Sequence, residues 1–180
     1  VRLLSSRSLN SPPASFVGAG QPLSQSSENS IAVFAATRWE LQAVRRALSA
    51  DRVGAIDGVR CYVGQQGNRT YWVIQTGVGP VVAGRVAEKV LKAQAMSLVM
   101  STGFACALVP AQVGDLIVGT GVSSVQGEGT WRMGSDRVLC DEAIGSDILV
   151  AAQDARMAVR TGLVVSSGTV VWQAEEKRRL

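Results

Sequence analysis

The chain has 180 residues, 18 basic and 14 acidic side chains, a net charge of +4 and no histidine. The missing imidazole removes the commonest general base and the commonest transition-metal ligand, so catalysis would run on carboxylates, hydroxyls, thiols and backbone amides, and no metal site is expected. The charges are dispersed, without the clustered Lys/Arg and interleaved aromatics of a nucleic-acid surface, and no stretch reaches the roughly 18 consecutive apolar residues of a membrane-spanning helix.

Residues 1–30 carry nine serines, Pro12, Pro13 and Pro22, and a single acid, Glu28. Such a segment buries too little apolar surface to offset its ordering entropy, and it reads as a disordered or non-native extension. Its Arg/Ser bias lacks the amphipathic period of a transit peptide. The start at Val1 reads as an incomplete or mis-started frame.

From Ile31 the texture changes. IAVFAA (31–36) is an apolar run that fits a strand buried on both faces, and TRWELQAVRRAL places Leu41, Val44 and Leu48 on one helical stripe with Arg45 and Arg46 outside it. VRCYVG and RTYWVIQT flank QQGN and predict a hairpin whose second strand runs into TGVGP. VVAGRVAEKVLKAQA predicts a second helix with Val82, Val86 and Val90 on one face. SLVMS (97–101) predicts a short strand leading into TGFACALVP. VGDLIVGTGVSSV supplies one or two further strands, and GEGTWRMGSDR reads as a surface excursion. SDILVAAQDARM (146–157) predicts a helix capped by Ser146, GLVVSS another buried strand, and AEEKRRL the start of a helix. Strands alternating with helices, most of them apolar on both faces, argue for an α/β fold, a three-layer sandwich around a mostly parallel or mixed central sheet.

Cys61, Cys106 and Cys140 are odd in number and lack CxxC spacing, so they read as reduced, half-buried thiols of a cytoplasmic protein. In open α/β sheets, ligands bind beyond the carboxyl ends of strands. Three loops hold that position here: Ala36–Glu40, Thr76–Pro80 and Ser101–Ala105. Glycine there either makes a turn or lets backbone amides approach a ligand. Neither GxGxxG nor GxxxxGK[ST] is present, which removes the dinucleotide and P-loop readings. Thr37-Arg38-Trp39-Glu40 has the spacing of a capping box, which on its own makes Glu40 structural. Asp115 reads as closing a turn before a strand, and Trp39, Trp72, Trp131 and Trp172 as packing residues or base-stacking platforms.

Taken in order, IAVFAATRWELQAV, TGVGPVVA, STGFACALVPAQVGDLIV and GLVVSSGTVV resemble the nucleoside phosphorylase and nucleosidase superfamily, particularly its methylthioadenosine/adenosylhomocysteine nucleosidase branch. The resemblance covers residues 31–180 as one phosphorylase-like domain. It implies cleavage of the N-glycosidic bond of a small-molecule purine nucleoside, without cofactor. It implies that Glu40 orients and deprotonates the attacking water, that Thr76 with Gly77 and Gly79 lies on the sugar side, and that Thr102 and Gly103 approach base and sugar. A full-length member would be a homo-oligomer. The phosphorylases use phosphate as co-substrate and hold it with an arginine just ahead of the TG loop; Leu98-Val99-Met100-Ser101 stands there, which favours water.

The sequence also departs from the pattern. Phe104, Cys106 and Ala107 replace small residues of the TGSAGGL loop, and Gly168-Thr169-Val170 replaces an aspartate and an aromatic residue. The closing SSGTVVWQAEEKRRL is nearer the hopanoid-associated phosphorylases, which makes an adenosylated triterpenoid the alternative substrate. The family's sugar-binding glutamate and leaving-group aspartate come later than Leu180, so the chain reads as the N-terminal two-thirds of a member. A catalytically dead purine-binding fragment is the remaining alternative.

Overall fold

The apolar run forms β1 (Ser30–Ala35), and every one of its six residues is buried. The structure, a computed structural model, describes residues 29–126, 132–169, 171 and 173–178. The extension expected over 1–30 thus lies outside the described residues except at its end, where Ser30 already opens the strand. The chain separates into two units: one takes the described residues through Gln75 together with Ala87–Thr102, the other Thr76–Val86 and the described residues from Gly103 on.

In the first unit, β1 is joined by β2 (Arg52–Ile56), β3 (Val59–Gln66), β4 (Arg69–Gln75) and β5 (Leu98–Ser101) in the order β2-β3-β4-β1-β5. β1 runs parallel to both neighbours, Ala35 opposite Gln75 of β4 and Phe34 opposite Ser101 of β5. The β2–β3 and β3–β4 pairs are antiparallel. A strand between two parallel partners with both faces covered has no polar side, which is why β1 shows no alternation.

One face of this sheet is covered by α1 (Arg38–Leu48), and the expected stripe is the one that packs. Leu41 and Leu48 join Ile31, Val33, Ala35, Ala50, Tyr71 and Val73 in one buried cluster, with Val44, Tyr62, Leu98 and Met100 at its margin. Alternate residues of β1 and β4 face the helix because side chains along a strand have a period of two. The helix stops where Ser49 enters the left-handed region (φ 50). β3 passes so close beneath this end that a Cβ on Gly64 would sit 2.5 Å from the Leu48 carbonyl oxygen. Arg45 ties the same corner together: its Nε donates to the Ala50 carbonyl at 3.2 Å, and its guanidinium stacks 3.7 Å from the Tyr62 ring centre.

Strand β2 is absent from the reading of the sequence, although its signal is present. Asp57-Gly58 joins β2 to β3 with φ of 46° and 73°, the positive pair that a two-residue hairpin turn requires. The hairpin read from QQGN is found, with Gly67 at φ 60 in the turn. The second helix, α2 (Pro80–Ala93), begins with Pro80 after Gly79, whose carbonyl accepts from the Ala83 amide at 3.0 Å. Of its proposed apolar face only Val90 is fully buried, while Val82 is 48% exposed.

In the second unit, β6 (Leu116–Gln126) pairs antiparallel with β7 (Arg132–Leu139) and parallel with β8 (Val159–Ser167) in a three-stranded sheet. VGDLIVGTGVSSV gives one long strand, within the one or two expected, and two other expectations are corrected. RMGSDR belongs to β7 and is no surface excursion, because a partner strand supplies pairing that its polar side chains do not advertise; residues 127–131 lie outside the described residues. The helix α3 (Glu142–Asp154) starts four residues before Ser146: Asp141 is its cap, accepting from the Ile144 amide at 3.0 Å. Ser146 sits inside the helix, its hydroxyl donating to the Glu142 carbonyl at 2.8 Å. A short α4 (Ala174–Arg178) follows β8. The fold is mixed α/β, as expected, but its described strands form two mixed sheets where one central sheet was read.

Candidate active site

The parallel strands β1, β4 and β5 end at Ala35, Gln75 and Ser101, at the same edge of the five-stranded sheet. All three loops singled out in the sequence begin there. Thr102 is pinned to this edge, since its amide donates to the Phe34 carbonyl at 2.9 Å. The start of α1 is close by along the chain, so the first unit brings the Thr37–Glu40 turn and Thr102 to one edge. Thr76, Gly77, Gly79 and Gly103 belong to the second unit.

Glu40 is 7% exposed, an uncommon degree of burial for a carboxylate. Thr37, extended at φ −105 and ψ 162, is the N-cap of α1, and Glu40 is the third helical residue. The Glu40 amide donates to Thr37 Oγ1 at 3.3 Å; in return Glu40 Oε2 accepts from the Thr37 amide at 2.7 Å and from the Thr37 hydroxyl at 2.8 Å. The capping box read from spacing is therefore real, and it holds a carboxylate at the positive end of a helix. Trp39, the preceding residue, is 81% exposed and packs into no core.

In the second unit Thr76 is buried, its hydroxyl donating to the Gly77 carbonyl at 3.0 Å. Gly77 and Gly79 have φ of 84° and 97°. The turn itself thus demands glycine at both positions. A Cβ on Gly79 would meet nothing within 4 Å, whereas one on Gly77 would come to 3.0 Å from Val82. Thr102, Gly103, Phe104, Cys106 and Ala107 are all exposed.

The remaining candidates sort plainly. Asp115 closes a turn, as its surroundings implied: its Oδ2 accepts from the Gln112 amide at 3.0 Å and from Arg160 Nε at 3.1 Å. The Gln112 amide above all holds its carboxyl below the usual range; desolvation opposes this, and Arg160 adds smaller lowering effects. Trp72 is buried in the sheet, and its Nε1 has no hydrogen-bond partner among the described residues. Trp131, Val170 and Trp172 lie outside the described residues. The cysteines are free, but not half-buried as expected: Cys61 is buried, and Cys106 and Cys140 are exposed. Burial pushes the Cys61 thiol pKa up. Among the described residues no three His, Cys, Asp or Glu side chains gather as a metal site, and no helix is long and apolar enough to cross a membrane.

Among curated proteins no sequence matches the chain. Solved structures do match in fold. A methylthioadenosine/S-adenosylhomocysteine nucleosidase from Neisseria meningitidis, in complex with methylthio-immucillin-A, superposes with a TM-score of 0.73 at 22% identity, over 84% of this chain and 70% of that one. The Helicobacter pylori nucleosidase carrying a D198N substitution, with 5'-methylthioadenosine in its active site, gives 0.73 at 18% identity, over 83% and 69%. Futalosine hydrolase of Helicobacter pylori gives 0.73 at 17%, again over 83% and 69%. The profile of the Phosphorylase superfamily matches residues 30–180, which is every residue from the start of β1 onward. The chain belongs to the phosphorylase superfamily.

Proposed function

We propose that this protein cleaves the N-glycosidic bond of a purine nucleoside of the methylthioadenosine or adenosylhomocysteine type, with water as the nucleophile. Loss of a purine passes through a sugar with oxocarbenium character, which needs a positioned nucleophile, hydrogen bonds to the sugar and an acid that protonates the departing base, a role the resemblance assigns to no residue among these 180. Glu40 orients the water and takes its proton. Thr76, with Gly77 and Gly79, contacts the sugar, while Thr102 and Gly103 approach base and sugar. The substrate is a free small molecule, and no cofactor takes part.

The observation that carries this reading is Glu40 itself, a carboxylate 7% exposed at a helix N-terminus beside the carboxyl ends of parallel strands. Membership of the phosphorylase superfamily and the likeness in fold to methylthioadenosine/S-adenosylhomocysteine nucleosidases support it. Water is favoured over phosphate because β5, Leu98–Ser101, carries no arginine ahead of Thr102.

Incubation with methylthioadenosine and with adenosine, with and without phosphate, followed by chromatography of free adenine, tests it. Adenine appears without phosphate and is lost at least about a hundredfold in Glu40→Gln. Gln at the third helical position still completes a capping box, so the variant stays folded and the loss reports chemistry. Release that requires phosphate makes the protein a phosphorylase and sinks the hydrolytic reading. Purine binding without turnover makes it a binding protein.

A further inference from the structure

We propose that Thr37 is a positioning residue for Glu40, a role beyond capping α1 that rests on the reading of Glu40 as the base. A helix cap needs only that the Thr37 hydroxyl oxygen accept from the Glu40 amide and that the carboxylate return a bond to the Thr37 amide. Both bonds are present, at 3.3 and 2.7 Å. The structure adds a third, which capping does not require: the Thr37 hydroxyl donates its proton to the same Glu40 Oε2, at 2.8 Å. A hydroxyl has one proton and two lone pairs, so it can accept from the amide and donate to the carboxylate at once.

Two donors of one residue on the same carboxylate oxygen restrain its position more tightly than one. The hydroxyl thereby adds a restraint to the last torsion of the side chain, which is soft for glutamate. With Oε2 held by both, the direction of the second oxygen, Oε1, is restrained before substrate arrives. A base that must hold a water in line with a sugar carbon gains from such pre-organisation, because small misplacements are costly in rate. Thr37 needs no contact with substrate to do this. Its own backbone is fixed in turn, since its carbonyl accepts from the Leu41 amide at 3.0 Å as the first bond of the helix.

The test compares Thr37→Ser, Thr37→Gly, Thr37→Ala and Glu40→Gln in the full chain, measuring kcat, KM and Tm with methylthioadenosine. Glycine costs a helix start far less than alanine, so the Gly and Ala variants differ in Tm although both lack the hydroxyl. Positioning predicts that both lose kcat alike, by about ten- to a hundredfold, with KM changed less than about twofold. Serine, which keeps the hydroxyl, restores turnover. If the loss of kcat follows Tm, so that Gly retains activity and Ala does not, or if both remain active, Thr37 is a cap alone and the proposal fails while the role of Glu40 stands. If Glu40→Gln is as active as the unmodified chain, or the unmodified chain releases no adenine, the functional reading falls and this proposal with it.

Discussion

Glu40 shows how one residue can carry a structural and a chemical reading at once. The Thr-x-x-Glu spacing announced the cap, and the cap is there at 2.7 and 3.3 Å. The same bonds keep a carboxylate 7% exposed at the loop edge of the sheet, so the two readings do not compete. Gly77 and Gly79 carry a different lesson. Both lie at positive φ, so the turn accounts for them without any ligand. The cysteines give a direct check at this scale. Cys61 is fully buried with its pKa raised, whereas Cys106 and Cys140 are exposed. Native protein treated with iodoacetamide is therefore modified at Cys106 and Cys140 within minutes and at Cys61 only after denaturation, as peptide mass spectrometry will show; rapid labelling of Cys61 would contradict its burial.

Among the elements, α1 and its strands were readable because their signals are local and strong: an apolar run, a helical stripe and a cap. β2 and β7 were missed for opposite reasons. β2 has a plain turn signal in Asp57-Gly58 beside a strand, Arg52–Ile56, that is mostly exposed and weakly apolar. β7 has little signal of its own, and its pairing with β6 decides it. Gly64 looks unremarkable in VRCYVG, yet it lies under the end of α1. Gly64→Ala drives a Cβ toward the Leu48 carbonyl at 2.5 Å, and destabilisation by about 1–3 kcal/mol is expected in denaturant unfolding.

The turn at Asp115 gives a pH-dependent prediction. Its carboxyl is held below the usual range by the Gln112 amide and Arg160, so the ionised form stabilises the fold above the unfolded value of about 4, and this is lost as pH falls through the lower folded value. Asp115→Asn should lower Tm at pH 7, and the gap to the unmodified chain should close toward pH 3. A gap that persists at pH 3 would mean that the ionised carboxyl is not what stabilises the turn.

For the whole molecule, the two units differ in how much apolar surface they bury. The first holds the fully buried strand β1 and a continuous cluster against α1; in the second, Val138 and Leu139 of β7 are 69% and 70% exposed. Hydrogen exchange followed by mass spectrometry should be slowest in Ser30–Ala35 and Arg69–Gln75 and fast in Arg132–Leu139. Equal protection in both sheets would overturn this ranking.

The sequence by itself determined the α/β alternation, the strand-end position of the three loops and the Thr37–Glu40 cap. These rest on hydrophobic period, glycine placement and a three-residue spacing, all of which act within a few residues. Only the tertiary structure decided that the strands divide into a five-stranded and a three-stranded sheet, that Asp141 and not Ser146 starts α3, and that the Thr37 hydroxyl reaches the Glu40 carboxylate. Strand partners are chosen by contacts distant in sequence, and a side-chain proton by three-dimensional geometry, neither of which a linear pattern encodes.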